Sequence, residues 1–186
     1  MILAVGRLVP YKGFDVLIRA GALLDPALAI CIAGGGPLAA ALAREAAEAG
    51  VSDRVRLLGP VGDAELAALY QRSFAVTMPS VTRAEMYGMT QVEAMSYGKP
   101  VVSTRIPRSG VSSVNIDGVT GLTVEPGNAA DLASALNRLG DDPVLYATLA
   151  AGARRTVAES HGISVVGRQY ADLFRRSVAE YPRRRR

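Results

Sequence analysis

Two carboxylates, Glu85 and Glu93, bracket the stretch Glu85-Met86-Tyr87-Gly88-Met89-Thr90-Gln91-Val92-Glu93. Upstream, residues 74–78 form an apolar run that stops at Pro79, the pattern of a buried strand. Downstream, residues 94–98 close on Gly98, and a second short apolar run follows Pro100. The spacing predicts a helix of about three turns from near Gly88, with Glu93 on it and Glu85 in the loop that feeds it. Backbone N–H groups at such a helix start lack partners and carry the positive end of the helix dipole, so they suit a phosphate. A loop carboxylate and a helix carboxylate on either side of an anion site can grip the hydroxyls at the two ends of a nucleotide sugar. The plainer alternative is a pair of solvated surface charges.

A second group of candidates lies near the N-terminus, in Gly6-Arg7-Leu8-Val9-Pro10-Tyr11-Lys12-Gly13. Arg7 leaves the end of an apolar run and Lys12 stands where a helical pattern begins. Arginine can engage a phosphate through two parallel hydrogen bonds, whereas lysine acts as a mobile point charge. Together they could neutralise a diphosphate; read alone, the loop is equally a pair of exposed charges. The turn Gly34-Gly35-Gly36-Pro37 lets backbone approach a ligand, but any strand-to-helix turn uses glycine in the same way. It lacks the spacing of a dinucleotide fingerprint and follows the second apolar run rather than the first.

These residues need a scaffold, and the hydrophobic pattern supplies one. Strands are expected at residues 2–6, 28–33, 54–58, 74–78, 101–103 and 121–124. Helices are expected at 13–24, 38–49, 63–70 (with Asp63 as its cap), 88–98, 131–139, 144–159 and 163–180. Regular alternation of strand and helix argues for an α/β fold, a Rossmann-like parallel sheet of about six strands with helices on both faces. Ligands of such sheets bind outside the carboxyl ends of the strands. Gly6 and Arg7, the glycine turn and Glu85 all fall at such ends.

Composition restricts the alternatives. A chain of 186 residues is long enough for one core that buries about 70% of its unfolded surface. With 49% hydrophobic and 20% charged residues, it has the makeup of a globular domain. One cysteine (Cys31, inside an apolar run) and one histidine exclude an internal disulfide and a zinc site. His161 precedes the last helix, remote in sequence from the candidate loops, and reads as a helix-start residue rather than a base. No apolar run approaches a membrane span and no signal peptide is visible, so the expected location is cytoplasmic. Much of the net charge of +4 comes from Arg183 to Arg186, a solvated tail or a peripheral contact with anionic membrane at its inner face. Nothing in the pattern of basic and aromatic residues suggests nucleic-acid binding.

Taken together, the chain resembles the C-terminal, donor-binding domain of family-4 retaining glycosyltransferases of the GT-B fold (glycosyl transferases group 1). The resemblance rests on residues 5–13, Gly34 to Pro37, Leu58-Gly59-Pro60-Val61, Met78-Pro79-Ser80, residues 85–100 and residues 117–127, which cover nearly the whole chain in the family's order. Its most specific element is the pair Glu85 and Glu93 with Gly88 between them, joined to the Arg7–Lys12 loop. It implies that Gly6, Arg7 and Lys12 meet the donor diphosphate. It further implies that Gly88, Met89 and Thr90 meet phosphate and sugar through backbone groups, that Glu85 holds sugar hydroxyls and Glu93 ribose hydroxyls, and that Leu58 and Val61 border the base. Glu85, Arg7 and Lys12 become the catalytic candidates, with Glu85 positioning the sugar and no metal or cofactor required; the donor would be GDP- or UDP-linked. The implied organisation is a nucleotide-sugar-binding domain over residues 1–160, a helix over 161–181 that crosses toward an N-terminal acceptor-binding domain absent from this chain, and a basic tail over 182–186.

The chain departs from the family pattern in places. Gly35 stands where many members carry an acidic residue, Thr90 and Gln91 stand where aliphatics are common, and Ile106-Pro107-Arg108-Ser109-Gly110 replaces a Gly-Gly segment. The last departure resembles a subset associated with bacterial surface polysaccharides. The resemblance therefore implies transfer of a glycosyl group, with retention, to a glycan or glycolipid. A noncatalytic nucleotide-sugar-binding module and a sugar-nucleotide epimerase of the same fold are the other readings.

Overall fold

A computed structural model describes residues 1–181 of the chain. Six strands, β1 (Ile2–Val5), β2 (Ile30–Ala33), β3 (Val55–Gly59), β4 (Ala75–Met78), β5 (Val101–Thr104) and β6 (Gly121–Val124), form one sheet in the order β3-β2-β1-β4-β5-β6. Every neighbouring pair is parallel. Strands β2, β4 and β5 are buried on both faces, which explains why they read as continuous apolar runs rather than alternating ones.

Helices cover both faces. On one, α1 (Phe14–Gly21), α2 (Ala39–Glu48) and α6 (Ala129–Asp141) place Phe14, Leu17, Leu42, Leu132 and Leu136 against Ile2, Ile30, Ile32 and Val102. On the other, α3 (Asp63–Arg72), α4 (Met89–Ser96) and α7 (Pro143–Thr156) place Tyr70, Met95 and Ala153 against Leu3, Val76 and Val101. A short helix, α5 (Val111–Val114), links β5 to β6, and α8 (Ile163–Glu180) ends the described chain. The basic tail expected over 182–186 lies outside the described residues. Among the described residues no helix is long and apolar enough to cross a membrane.

The expected strands all form, and β6 and α8 have the expected bounds. Other helix bounds differ: α1 ends at Gly21 rather than at residue 24, and α6 extends two residues beyond the expected 131–139 at each end. Gly62, not Asp63, precedes α3 as its cap; Asp63 is the first helical residue, where an acidic side chain still meets the positive helix end. The helix expected from 144 to 159 stops at Thr156 and passes into a π-helical turn, Val157–His161, before α8. Helix α4 runs for eight residues, Met89–Ser96, about two turns rather than three, with Tyr97 as its cap and Gly98, left-handed at φ 67°, turning the chain after it.

The strand order reverses between β1 and β4, the topological switch point at which ligands bind such sheets. Two glycines allow the backbone to close around it. Gly13 is left-handed (φ 67°), and a Cβ there would stand 2.1 Å from the Pro79 carbonyl oxygen at the end of β4. A Cβ on Gly34 would lie 1.9 Å from the Gly6 carbonyl oxygen, so the glycine turn serves the close approach of the β1 and β2 loops. That contact is sealed by Leu8 N–H donating to the Gly35 carbonyl at 2.9 Å. Gly13→Ala combines a left-handed penalty with overlap, so it is expected to lower the unfolding free energy by about 2–4 kcal/mol. Urea denaturation measures this; a loss below about 0.5 kcal/mol, the range of an ordinary surface change, contradicts the close approach.

Candidate functional site

The sequence candidates from three elements meet at the switch point. A 3-10 turn, Pro10–Lys12, follows the β1 loop and delivers Lys12 to the β4 side. There Lys12 Nζ donates to Glu85 Oε2 at 2.6 Å, and Ser80 Oγ donates to the same oxygen at 3.0 Å. The Lys12 and Glu85 side chains are only 13% and 9% exposed. Removing one member of a buried pair strands the other charge and typically costs about 3–5 kcal/mol. Glu85 Oε1 accepts no hydrogen bond from the described residues, so one oxygen is fixed and the other is open to a ligand hydroxyl.

Glu93 repeats this arrangement one helix turn farther into α4. Its Oε2 accepts a 2.6 Å hydrogen bond from the Tyr70 hydroxyl, and its Oε1 is left without a partner among the described residues. Tyr70 is buried, and its ring stacks on Tyr97 at 5.3 Å between centroids and 11° between planes. Burial pushes the Tyr70 hydroxyl well above the ordinary phenol range; the hydrogen bond to Glu93 and that carboxylate's charge push it further. The group is therefore a fixed proton donor at neutral pH.

Gly88, left-handed at φ 77°, precedes α4, whose first residues Met89 and Thr90 present unpaired N–H groups at the same end of the sheet. Gln91, where aliphatics were the expectation, is fully buried and donates from Nε2 to the Tyr87 carbonyl at 2.9 Å, which fixes the loop between the glutamates. Ser109 Oγ donates to the Glu85 carbonyl, and Gly110 N–H donates to the Met86 carbonyl at 2.7 Å, tying that loop to the turn after β5. Arg7 projects into solvent beside Gly6, without a protein partner among the described residues. Leu58 and Val61 stand at the carboxyl end of β3, two strands or roughly 10 Å from β1.

Sequence reasoning missed the groups that hold the glutamates. Tyr70 falls at the end of the helix expected over 63–70 and Ser80 within the stretch Met78-Pro79-Ser80, and neither stands among the site candidates. A polar atom on an inward face was the available signal for both. His161, remote in sequence from the candidate loops, ends the π-helical turn rather than starting α8, and its Nδ1 lies 3.1 Å from the Tyr87 hydroxyl, ring edge toward ring face. Among the described residues no group of three His, Cys, Asp or Glu side chains could hold a metal ion.

The family model described as Glycosyl transferases group 1 matches residues 1–156. The chain belongs to the glycosyl transferases group 1 family. Among curated members, the D-rhamnosyltransferase WbpZ of Pseudomonas aeruginosa is 39% identical over 141 residues, covering 76% of this chain and 36% of that protein. The D-inositol 3-phosphate glycosyltransferase of Salinispora arenicola is 41% identical over 163 residues, covering 81% and 36%. This group 1 chain thus spans about a third of those relatives' length. Among solved structures, Anabaena Alr3699/HepE in complex with UDP superposes with a TM-score of 0.85 at 27% identity, over 93% of this chain and 48% of that one. HepE has also been solved with UDP-glucose. The sheet described above therefore has the fold of a GT-B glycosyltransferase domain.

The raised Tyr70 pKa has a testable consequence. Folded Tyr70 keeps a proton that the unfolded chain releases above about pH 10, so its contribution is complete below that pH and declines as pH rises beyond it. Tyr70→Phe should flatten the fall in stability between pH 9.5 and 11, as followed by urea denaturation. Parallel curves for parent and variant would contradict the buried Tyr70–Glu93 bond.

Proposed function

We propose that this chain is the donor-binding half of a retaining glycosyltransferase that uses a nucleoside-diphosphate sugar. The observation that carries the reading is the 2.6 Å contact of Lys12 with Glu85 at the switch point, which unites the candidate diphosphate cation and the candidate sugar carboxylate. In this reading Arg7, Lys12 and the start of α4 at Gly88, Met89 and Thr90 surround the diphosphate. They stabilise the negative charge that develops as it departs, and fixed donors of this kind each contribute about 3 kcal/mol in comparable sites. The open oxygen of Glu85 accepts from a sugar hydroxyl and keeps the sugar's reacting carbon beside the diphosphate. The open oxygen of Glu93 accepts from the ribose, while Leu58 and Val61 border the base. The protein's own cations perform the electrostatic work, so the reading needs no cofactor or metal.

The HepE structures with UDP and UDP-glucose support a uridine-linked donor as the first to test, with guanosine-linked donors next. The named activity of WbpZ supports transfer of a hexosyl unit, and the resemblance of residues 106–110 to a subset associated with bacterial surface polysaccharides supports a surface glycan or glycolipid as the acceptor. The acceptor half lies in another domain. Helix α8 supports this arrangement: it buries none of its residues, and Ile163, Tyr170 and Phe174 on its apolar stripe are 93%, 59% and 65% exposed. An uncovered stripe of that length fits the face of a second domain.

Calorimetric titration with UDP and uridine tests the diphosphate assignment. Arg7→Ala should weaken UDP by about tenfold or more, as expected for a charge-assisted hydrogen bond, and leave uridine unchanged. Unaltered UDP affinity in a folded Arg7→Ala/Lys12→Ala chain rejects the site. Glu93→Gln and 2′,3′-dideoxy-UDP should each lose the same increment, and combining them should lose no more; additive losses would separate Glu93 from the ribose. The chain alone should bind donor yet transfer no sugar, and amides 163–174 should exchange faster than those of β4. Transfer by the purified chain, or equal protection in a verified monomer, would overturn the division of labour between two halves.

A further inference from the structure

A cavity beside Glu85 takes no part in the donor contacts described above. It is lined by Arg83, Ala84, Met86, Arg108, Ser109 and Gly110, so two guanidinium-bearing residues open onto one space. Neither arginine has a hydrogen bond or ion pair among the described residues, whereas Arg19, Arg105 and Arg175 are each paired with carboxylates. No acidic side chain lines the cavity.

The backbone holds both arginines in place. Arg108 is the one described non-glycine residue with a positive φ, 59°, a conformation that favours glycine or asparagine. No hydrogen bond made by its own side chain offsets that preference. The next two residues fix the turn: Ser109 Oγ donates to the Glu85 carbonyl and Gly110 N–H to the Met86 carbonyl. On the facing side, Thr82 holds the Arg83 turn by accepting from Ala84 N–H at its Oγ1 and from Glu85 N–H at its carbonyl. The two turns are therefore stitched to the same loop, and both arginine residues line the one cavity between them.

We propose that Arg83 and Arg108 form a subsite for an oxyanion, a phosphate or carboxylate group, borne by a substrate that meets the sugar end of the donor. Guanidinium groups suit this ligand because each presents parallel N–H donors matched to two oxygens of one group. The placement at the sugar end rests on the donor reading above; the oxyanion site itself rests on the cavity and its two turns. An anionic sugar in the donor and a phosphorylated acceptor offer the same chemistry to these arginines.

The test uses the isotopically labelled chain saturated with UDP, so that Arg7 and Lys12 are already engaged. Titrated inorganic phosphate should shift the amides of Ala84, Met86, Ser109 and Gly110 saturably. Arg83→Ala/Arg108→Gly should weaken that binding by about tenfold or more, while UDP affinity stays unchanged. Arg108→Gly suits the left-handed turn, so loss of phosphate binding in this variant is not a loss of folding. UDP-glucuronate and glycerol 3-phosphate distinguish the sources. An arginine-dependent advantage of UDP-glucuronate over UDP-glucose assigns the anion to the donor sugar; arginine-dependent binding of glycerol 3-phosphate to the UDP-saturated chain assigns it to the acceptor. No saturable shift with phosphate, or a shift that survives the double substitution, overturns the subsite. Failure of UDP to bind would instead overturn the donor reading, and the phosphate titration still reads the arginines without it.

Discussion

The buried contact between Lys12 and Glu85 ties the two halves of the sheet together where ligands have access. Lys12 arrives from β1, at the end of the β3-β2-β1 half, and Glu85 from the loop after β4, which begins the other half. Two charges taken largely out of water must be matched, and the match is tight: the shared oxygen also receives Ser80. The approach of Gly13 to the Pro79 carbonyl is what lets the lysine arrive at that depth. A larger residue at Gly13, or a looser turn after Pro79, would leave a carboxylate buried without its counterion.

Both glutamates follow one principle of construction. In each, one carboxylate oxygen is fixed by a neighbour from another element, Lys12 and Ser80 for Glu85 and Tyr70 for Glu93, while the second is unengaged among the described residues. An acceptor held this way is oriented before any ligand arrives, so little reorganisation is needed when hydrogen bonds form. Tyr70 is itself fixed by its stack on Tyr97, and the loop between the glutamates is fixed from beneath by Gln91.

The framework was legible in the sequence because parallel strands buried on both faces announce themselves as short apolar runs, and because Gly50, Gly98 and Pro79 mark the ends of elements. Helix α5 was not legible: four residues are too few to display a helical period. Glu85, Glu93, Arg7 and Lys12 could be picked out by charge and by position at strand ends. Their supports could not, since Tyr70 lies 23 residues from Glu93 and its ring serves the core while its hydroxyl serves the site. Residues with two such allegiances look like ordinary core residues when only spacing is available. His161 was misplaced for the opposite reason: distance along the chain says nothing about a turn that folds back.

That turn also marks a change of ownership within the chain. The family match ends at Thr156, the last residue of α7, and the π-helical turn begins at the next residue. Beyond it, Gly162 is extended, and α8 follows with none of its residues buried. The His161 ring closes that turn against the Tyr87 hydroxyl, two residues from Glu85. The eighteen-residue helix α8 therefore follows directly from a turn that packs on the loop between the glutamates, so the end of the family's matched segment and the edge of the candidate site are the same place in the fold.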